Sequence, residues 1–158
     1  MAKGRDAVRL TDEEVAAFLE DAMKVQVATI GPHGEPHLTT LFYVLEEGRI
    51  AFWTYGRSQK IANLRRDDRI TCLVEDGRDY FELRGVSISG RARLVEEYDE
   101  VVRIGSRIAT RMADGADLGA YGDDLVRQQA RKRVGVVVEP EKVASWDHRK
   151  MAGQPGSG

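Results

Sequence analysis

Short apolar runs with a period of two, set close together, constrain this chain more than any other feature. Val25 to Ile30 is brief and rich in β-branched residues. Pro36 to Leu45 places Leu38, Thr40, Phe42 and Val44 on one face, and Arg49 to Tyr55 alternates Ile50, Phe52 and Thr54 against Ala51, Trp53 and Tyr55. Such alternation fits strands half-buried in a sheet. Gly31-Pro32-His33-Gly34 and Glu46-Glu47-Gly48 are turns by composition, so these runs read as an antiparallel meander. Arg69 to Glu75 is a further strand, followed by the turn Asp76-Gly77-Arg78-Asp79 and a long strand region from Tyr80 to Val95. There the apolar phase shifts by one residue beside Gly85, from Phe81 and Leu83 to Val86, Ile88, Gly90, Ala92 and Leu94. The shift predicts a bulge, which bends a strand as a small barrel requires. Val134 to Val138 and Val143 to Trp146 supply two last strands, split by Glu139-Pro140. Six or seven closely spaced strands with few helices predict a closed or split β-barrel.

The helices fit around this barrel. Thr11 and Glu14 form a capping-box pattern, with Leu10 and Val15 as a hydrophobic staple. Val15, Phe18, Leu19 and Ala22 then share one helical face, so this helix is expected to lie on the core as a lid or plug. A short helix over 58–66 turns Ile61 and Leu64 inward. It interrupts the strands without alternating with them, which disfavours a doubly wound parallel sheet. A helix over 96–113 carries the inward stripe Tyr98, Val101, Val102, Gly105, Ile108, Ala109 and Met112. Asp114 to Asp124 reads as a mobile loop, with a third helix near 124–133. The pattern predicts one domain over 1–152 and a disordered tail, 153–158.

A formal net charge of −2 over 158 residues gives no general basic excess for nucleic acid. No apolar run approaches the ~18 residues of a membrane span. Met1 to Leu10 has no apolar core of the signal-peptide kind. The lone Cys72 has no internal disulfide partner and sits at an alternating strand position, so a buried, inert thiol is expected, in a cytoplasmic protein. His33, His37 and His148 are not spaced like a zinc motif, and no metal is expected.

The chemistry is concentrated in Phe52-Trp53-Thr54-Tyr55-Gly56-Arg57-Ser58-Gln59-Lys60-Ile61-Ala62-Asn63-Leu64. A strand ends, Gly56 loosens the turn, and a helix starts at Ser58, a natural N-cap. The first-turn amides of such a helix have no internal partner and form an anion site with the helix dipole. Arg57 and Lys60 flank that terminus. They read either as surface charges or as the partners of a phosphate.

This segment resembles the phosphate-binding strand–turn–helix of the pyridoxamine-phosphate-oxidase-like split β-barrel family, which includes FMN enzymes and F420-dependent flavin/deazaflavin oxidoreductases. Further matching features lie in order over roughly residues 11 to 147: Gly34-Glu35-Pro36 before a long strand, Asn63-Leu64-Arg65-Arg66-Asp67-Asp68-Arg69-Ile70 as a helix-to-strand link, and Gly90-Arg91-Ala92 in the following strand. The resemblance implies that Arg57, Ser58 and Lys60 hold the cofactor phosphate and that Trp53 and Thr54 lie beside its ribityl-phosphate arm. It implies that Thr39, Thr40 and Leu41 form the strand against which the ring lies, largely through backbone groups, and that the protein is a homodimer with a shared cofactor cleft. Gln59 and Thr39 stand where pyridoxamine-phosphate oxidases carry cations. The Arg-Ser-x-Lys pattern with Asn63-Leu64 looks more like the F420-dependent branch, and Arg65 and Arg66 can add to a spread of cations or simply compensate the helix dipole. The implied activity is hydride transfer from reduced deazaflavin to an electron-poor small molecule. An FMN-dependent oxidase or reductase, and a cofactor- or haem-binding protein without turnover, are the alternatives. No catalytic side chain is assigned: His37, Tyr43 and Tyr55 are candidate proton donors, but each reads more readily as a packed barrel residue. His148 and Trp146 lie where the family often closes its pocket, though Trp146 also reads as a core or interface aromatic.

Overall fold

The computed structural model describes residues 2–151; the tail expected to be disordered, 153–158, lies outside them. Seven strands alternate with short helices in the order α1 (Ala2–Val8), α2 (Asp12–Asp21), β1 (Lys24–Ile30), β2 (Pro36–Phe42), β3 (Val44–Glu46), β4 (Arg49–Tyr55), α3 (Gln59–Arg66), β5 (Arg69–Asp76), β6 (Arg84–Val95), α4 (Tyr98–Met112), α5 (Gly119–Ala130) and β7 (Arg133–Asp147). All strand pairs are antiparallel, in the order β2-β1-β5-β6-β7-β4-β3. The edge strands β2 and β3 are separated in sequence by Tyr43 alone. A chain covers at most about 3.6 Å per residue, so the sheet must curl until its two edges meet at that residue. The result is the split β-barrel expected of the strand pattern.

The inner face of the sheet holds one core, with Val25, Val27, Ile50, Phe52, Cys72, Val74, Val86 and Val136 buried. Phe18 and Leu19 of α2 plug it, as expected. The Thr11 capping box is present: its hydroxyl accepts from the Glu14 amide and its own amide donates to the Glu14 carboxylate, each at 3.1 Å. A second core lies outside the sheet, where α4 covers Val44, Ala51, Val95 and Val137 with Val101, Ile104 and Ile108. Gly105 of α4 sits against the Trp53 ring, and a Cβ there would stand inside it. Tyr98 and Met112, assigned to the inward stripe of this helix, are exposed, and Ile104 takes the buried place. Burial acts to raise the Glu46 carboxyl, but hydrogen bonds from Arg103 and Arg107 outweigh it and hold its pKa below the ordinary carboxylate value. The hydrogen bond from Arg149 does the same for buried Asp147. Groups whose folded pKa is depressed stabilise above their unfolded pKa and lose that contribution as pH falls through the folded value. Denaturation midpoints are therefore expected to hold from neutral pH down to about 5 and to fall below about 4, with Glu46→Gln flattening part of that slope.

Several boundaries differ from the sequence pattern. The run from Pro36 to Leu45 is broken at Tyr43, where the chain passes from one edge of the sheet to the other. Leu38, Thr40 and Phe42 consequently lie on the exposed face while Val44 is buried. Tyr80–Glu82 is a 3-10 turn, so β6 starts at Arg84, and that turn causes the phase shift. The irregularity in β6 falls at Ser89/Gly90 and not at Gly85. β7 runs unbroken through Glu139-Pro140: Pro140 has no N–H to give the ladder, and the register shift absorbs it opposite Gly90. α5 begins at Gly119, inside the expected loop, and α1 precedes the first helix the pattern marks.

Candidate functional site

The pairing of β4 with β7 sets Tyr55 opposite Arg133, and the Gly56 amide donates to the Lys132 carbonyl at 2.8 Å. Two stretches distant in sequence thus meet at the start of α3. Ser58 is its N-cap, with extended backbone, and its hydroxyl accepts from the Ile61 amide at 3.4 Å. The Ser58 O–H is left free to donate. The Gln59 and Lys60 amides precede the first intrahelical bond and have no acceptor among the described residues.

A cavity of about 760 Å³ opens beside this helix start, with Tyr55, Arg57 and Ser58 on one wall and Arg131, Lys132 and Arg133 on the other. The Arg133 guanidinium is held between the rings of Tyr55 and Trp53, 4.2 and 4.8 Å from their centroids. Among the described residues no carboxylate pairs with Arg57, Lys60, Arg131, Lys132 or Arg133. Arginines elsewhere are mostly neutralised: Arg49, Arg65, Arg69, Arg84, Arg91, Arg93, Arg103, Arg107, Arg127 and Arg149 all meet acids. Burial pushes the Lys60 ammonium below the usual lysine range, with no partner to restore it. Unpaired positive charge, free amides and a helix dipole converge here, which is the arrangement that binds an anion.

β2 forms the other candidate surface. It pairs with β1 on one side and offers its second edge, with free N–H and C=O groups, to a ligand. The side chains of His37, Thr39 and Leu41 face inward and Thr40 faces out. Three consecutive side chains cannot all meet one ring, so a ligand spanning Thr39, Thr40 and Leu41 must use the backbone. Thr39 Oγ1 and His37 Nδ1 are buried without a hydrogen-bond partner among the described residues. His37 lies opposite Thr29 in the ladder; Asn63 donates to the Thr29 hydroxyl at 3.0 Å and accepts from Gln59 at 2.7 Å. This buried network ties the first turn of α3 to β1, next to β2. The chemistry of these residues fits a flavin-type group: cations and free amides at the helix start could hold a phosphate, and the β2 edge has backbone groups for a ring.

Other sequence candidates fall elsewhere. Thr54 is buried on the inner face of β4, and Trp53 is on the outer face behind Arg133, so they cannot both touch one ligand arm. Tyr43 is fully buried, its hydroxyl donates to the Leu19 carbonyl at 2.5 Å, and burial pushes its pKa up to about 12. It is a core residue and not a proton donor to a substrate. Tyr55 is half exposed in the cavity. Arg65 pairs with Glu96, and Arg66 donates to the Ile30 carbonyl, so both serve the fold. Cys72 is buried and its thiol is pushed up to about 12, the inert state expected. The cations Arg131, Lys132 and Arg133 were not marked by the sequence pattern; adjacent cations just before a strand are their only local signal.

The family model described as pyridoxamine 5'-phosphate oxidase matches residues 11–147. The chain belongs to that family. A curated relative, the 5a,11a-dehydrotetracycline/5a,11a-dehydrooxytetracycline reductase of Streptomyces rimosus, is 30% identical over 125 residues, covering 68% of this chain and 88% of the relative. The solved structure of a conserved hypothetical protein, Rv2991 of Mycobacterium tuberculosis, is 39% identical with a TM-score of 0.88, over 97% of this chain and 94% of the other. A solved F420 reductase, 17% identical with a TM-score of 0.59 over 81% of this chain and 94% of its own, shows a likeness of fold alone. Family membership and the curated reductase place the chain among the oxidoreductases of this fold. Among the described residues no helix is long and apolar enough to cross a membrane.

Proposed function

We propose that this chain is an F420-dependent reductase, passing a hydride from reduced deazaflavin to an electron-poor organic molecule. The observation that carries this reading is the spread of unpaired cations, from Arg57 and Lys60 at the helix start to Arg131, Lys132 and Arg133 across the cavity. F420 carries a phosphodiester and a glutamate tail, so its negative charge is extended in the same way. FMN ends in one phosphate and favours a dense cluster, which Gln59 and Thr39 thin out here. The Streptomyces relative, a reductase, supports reduction as the direction of transfer.

The bound cofactor supplies the hydride. The Ser58 hydroxyl and the Gln59 and Lys60 amides donate to its phosphate, and Arg57 and Lys60 neutralise it. The free edge of β2 at Thr39, Thr40 and Leu41 orients the ring through backbone groups. The proton that completes reduction of an activated double bond would come from solvent or from the His37 imidazole on the same strand. Ser58→Ala removes the N-cap and is expected to lower unfolding free energy by about 1 kcal/mol, read by chemical denaturation.

The outer face of β2, β1, β5 and β6 supports a homodimer. Leu38, Ala28, Thr71 and Ser89 lie side by side across it without a charge, and Leu38 is exposed. Leu38→Glu is expected to shift the protein toward monomer in sedimentation velocity.

The direct test mixes the protein with reduced F420 and a panel of activated enones, following the return of oxidised deazaflavin absorbance, with reduced FMN in parallel. Protein-dependent oxidation of F420 supports the proposal. Turnover with FMN alone moves the chain to the flavin branch, and binding without turnover leaves a carrier protein.

A further inference from the structure

Arg133 is gripped by rings and offered almost nothing to bond. Its guanidinium carbon lies 4.2 Å from the centre of the Tyr55 ring and 4.8 Å from that of Trp53. The two rings share one face of β4, and Arg133 is the ladder partner of Tyr55. Its Nη2 donates to Gln129 Oε1 at a long 3.5 Å, its Nε is buried without a partner, and no carboxylate meets it among the described residues. Aromatic contacts hold a guanidinium in place without occupying its N–H donors. The planar fork of Arg133 is therefore both fixed and unused, on the wall of the cavity beside α3.

Trp53 is held in turn by α4, against whose buried face it packs. A Cβ at Gly105 would stand 2.2 Å from one carbon of its six-membered ring and 2.5 and 2.6 Å from two others, where ordinary contact starts at 3.4 Å. Glycine at 105 thus lets α4 close on the indole and fix the place from which it holds Arg133. An arginine ordered during folding loses less freedom when an anion arrives, and binds it more tightly. We infer that Tyr55, Trp53 and Gly105 are positioning residues that preset Arg133 as a two-pronged receptor for one oxyanion, a carboxylate or a phosphate, of the molecule bound in this cavity. The inference deepens the cofactor reading and rests on it for the source of that anion. Tyr55 then acts through its ring and not its hydroxyl, and Trp53 acts at one remove from the ligand.

The test is calorimetric titration of the cofactor-free protein with F420, with the deazaflavin riboside that lacks phosphate and glutamates, and with inorganic pyrophosphate and γ-glutamylglutamate. Arg133→Lys keeps the charge without the fork and is expected to weaken F420 about tenfold. Tyr55→Leu and Gly105→Ala should each weaken it about fivefold through a loosened Arg133, while Tyr55→Phe keeps the affinity and the riboside responds to none of the four. Should Gly105→Ala fail to fold, Tyr55→Leu carries the test, since that side chain is half exposed. Loss of pyrophosphate binding in Arg133→Lys assigns the fork to a phosphate, and loss of γ-glutamylglutamate binding assigns it to a carboxylate. F420 binding indifferent to Arg133→Lys and Tyr55→Leu, an equal loss for the riboside, or a loss in Tyr55→Phe as large as in Tyr55→Leu would overturn the inference and leave the cofactor reading standing. If F420 does not bind but one simple anion does, with the same response to the variants, the cofactor reading falls and the receptor stands. Binding of neither F420 nor either anion overturns both.

Discussion

Lys60→Ala is expected to weaken F420 binding by about 1.5–3 kcal/mol, the worth of a hydrogen bond to a charged group, or roughly ten- to 150-fold in Kd. Lys60 has no carboxylate partner among the described residues, and burial already depresses its pKa. Its ammonium therefore carries a desolvation cost that nothing among the described residues offsets and that a bound phosphate would offset. Removing it should leave the fold intact, so the unfolding midpoint of the free protein is expected to move little while affinity falls. Lys60→Arg keeps the charge and should retain most of the affinity. Deprotonation of Lys60 removes the same charge, so binding should weaken as pH rises through its lowered pKa and recover on return. An unchanged Kd in Lys60→Ala would remove the phosphate from this helix start.

Arg111→Ala is expected to cost about 3 kcal/mol of stability without touching the site. Its guanidinium donates to the carbonyls of Tyr43 at 3.2 Å, Leu19 at 3.1 Å and Glu20 at 2.5 Å, and to that of Ala22. It also lies 4.9 Å from the centre of the Tyr43 ring. α2 has no basic residue in its own last turn, so a residue from α4 supplies both the donors and the positive charge that its carbonyl end lacks. The same side chain clamps Tyr43, where the sheet changes edges. Lysine at this position should recover only part of the loss, because a compact ammonium cannot reproduce the planar fork. Urea denaturation reads the difference; a loss below about 1 kcal/mol would mean that water replaces these donors without penalty.

Local periodicity made the strands, the α2 capping box and the Ser58 start of α3 legible, because each depends on residues a few positions apart. The break at Tyr43 was not legible, since Val44 keeps the parity of Leu38, Thr40 and Phe42 while the chain moves to the other edge of the sheet. Pro140 read as a strand end because its tolerance depends on Gly90, which lets the backbones of Glu139 and Pro140 approach. Trp53 and Thr54 looked like one functional pair in sequence, although a strand must send neighbouring side chains to opposite faces. The far wall of the cavity was hidden for a different reason. Arg131, Lys132 and Arg133 reach α3 only through the long-range register that places Arg133 opposite Tyr55.

The most direct test of the account is a titration of the cofactor-free protein with F420 and with FMN, followed by cofactor fluorescence, in the unaltered chain and in an Arg131→Ala/Lys132→Ala variant. The account predicts tight binding of F420, weaker binding of FMN, and a loss in the variant that is larger for F420 than for FMN. Preference for FMN, or an F420 affinity indifferent to the two cations, would contradict it.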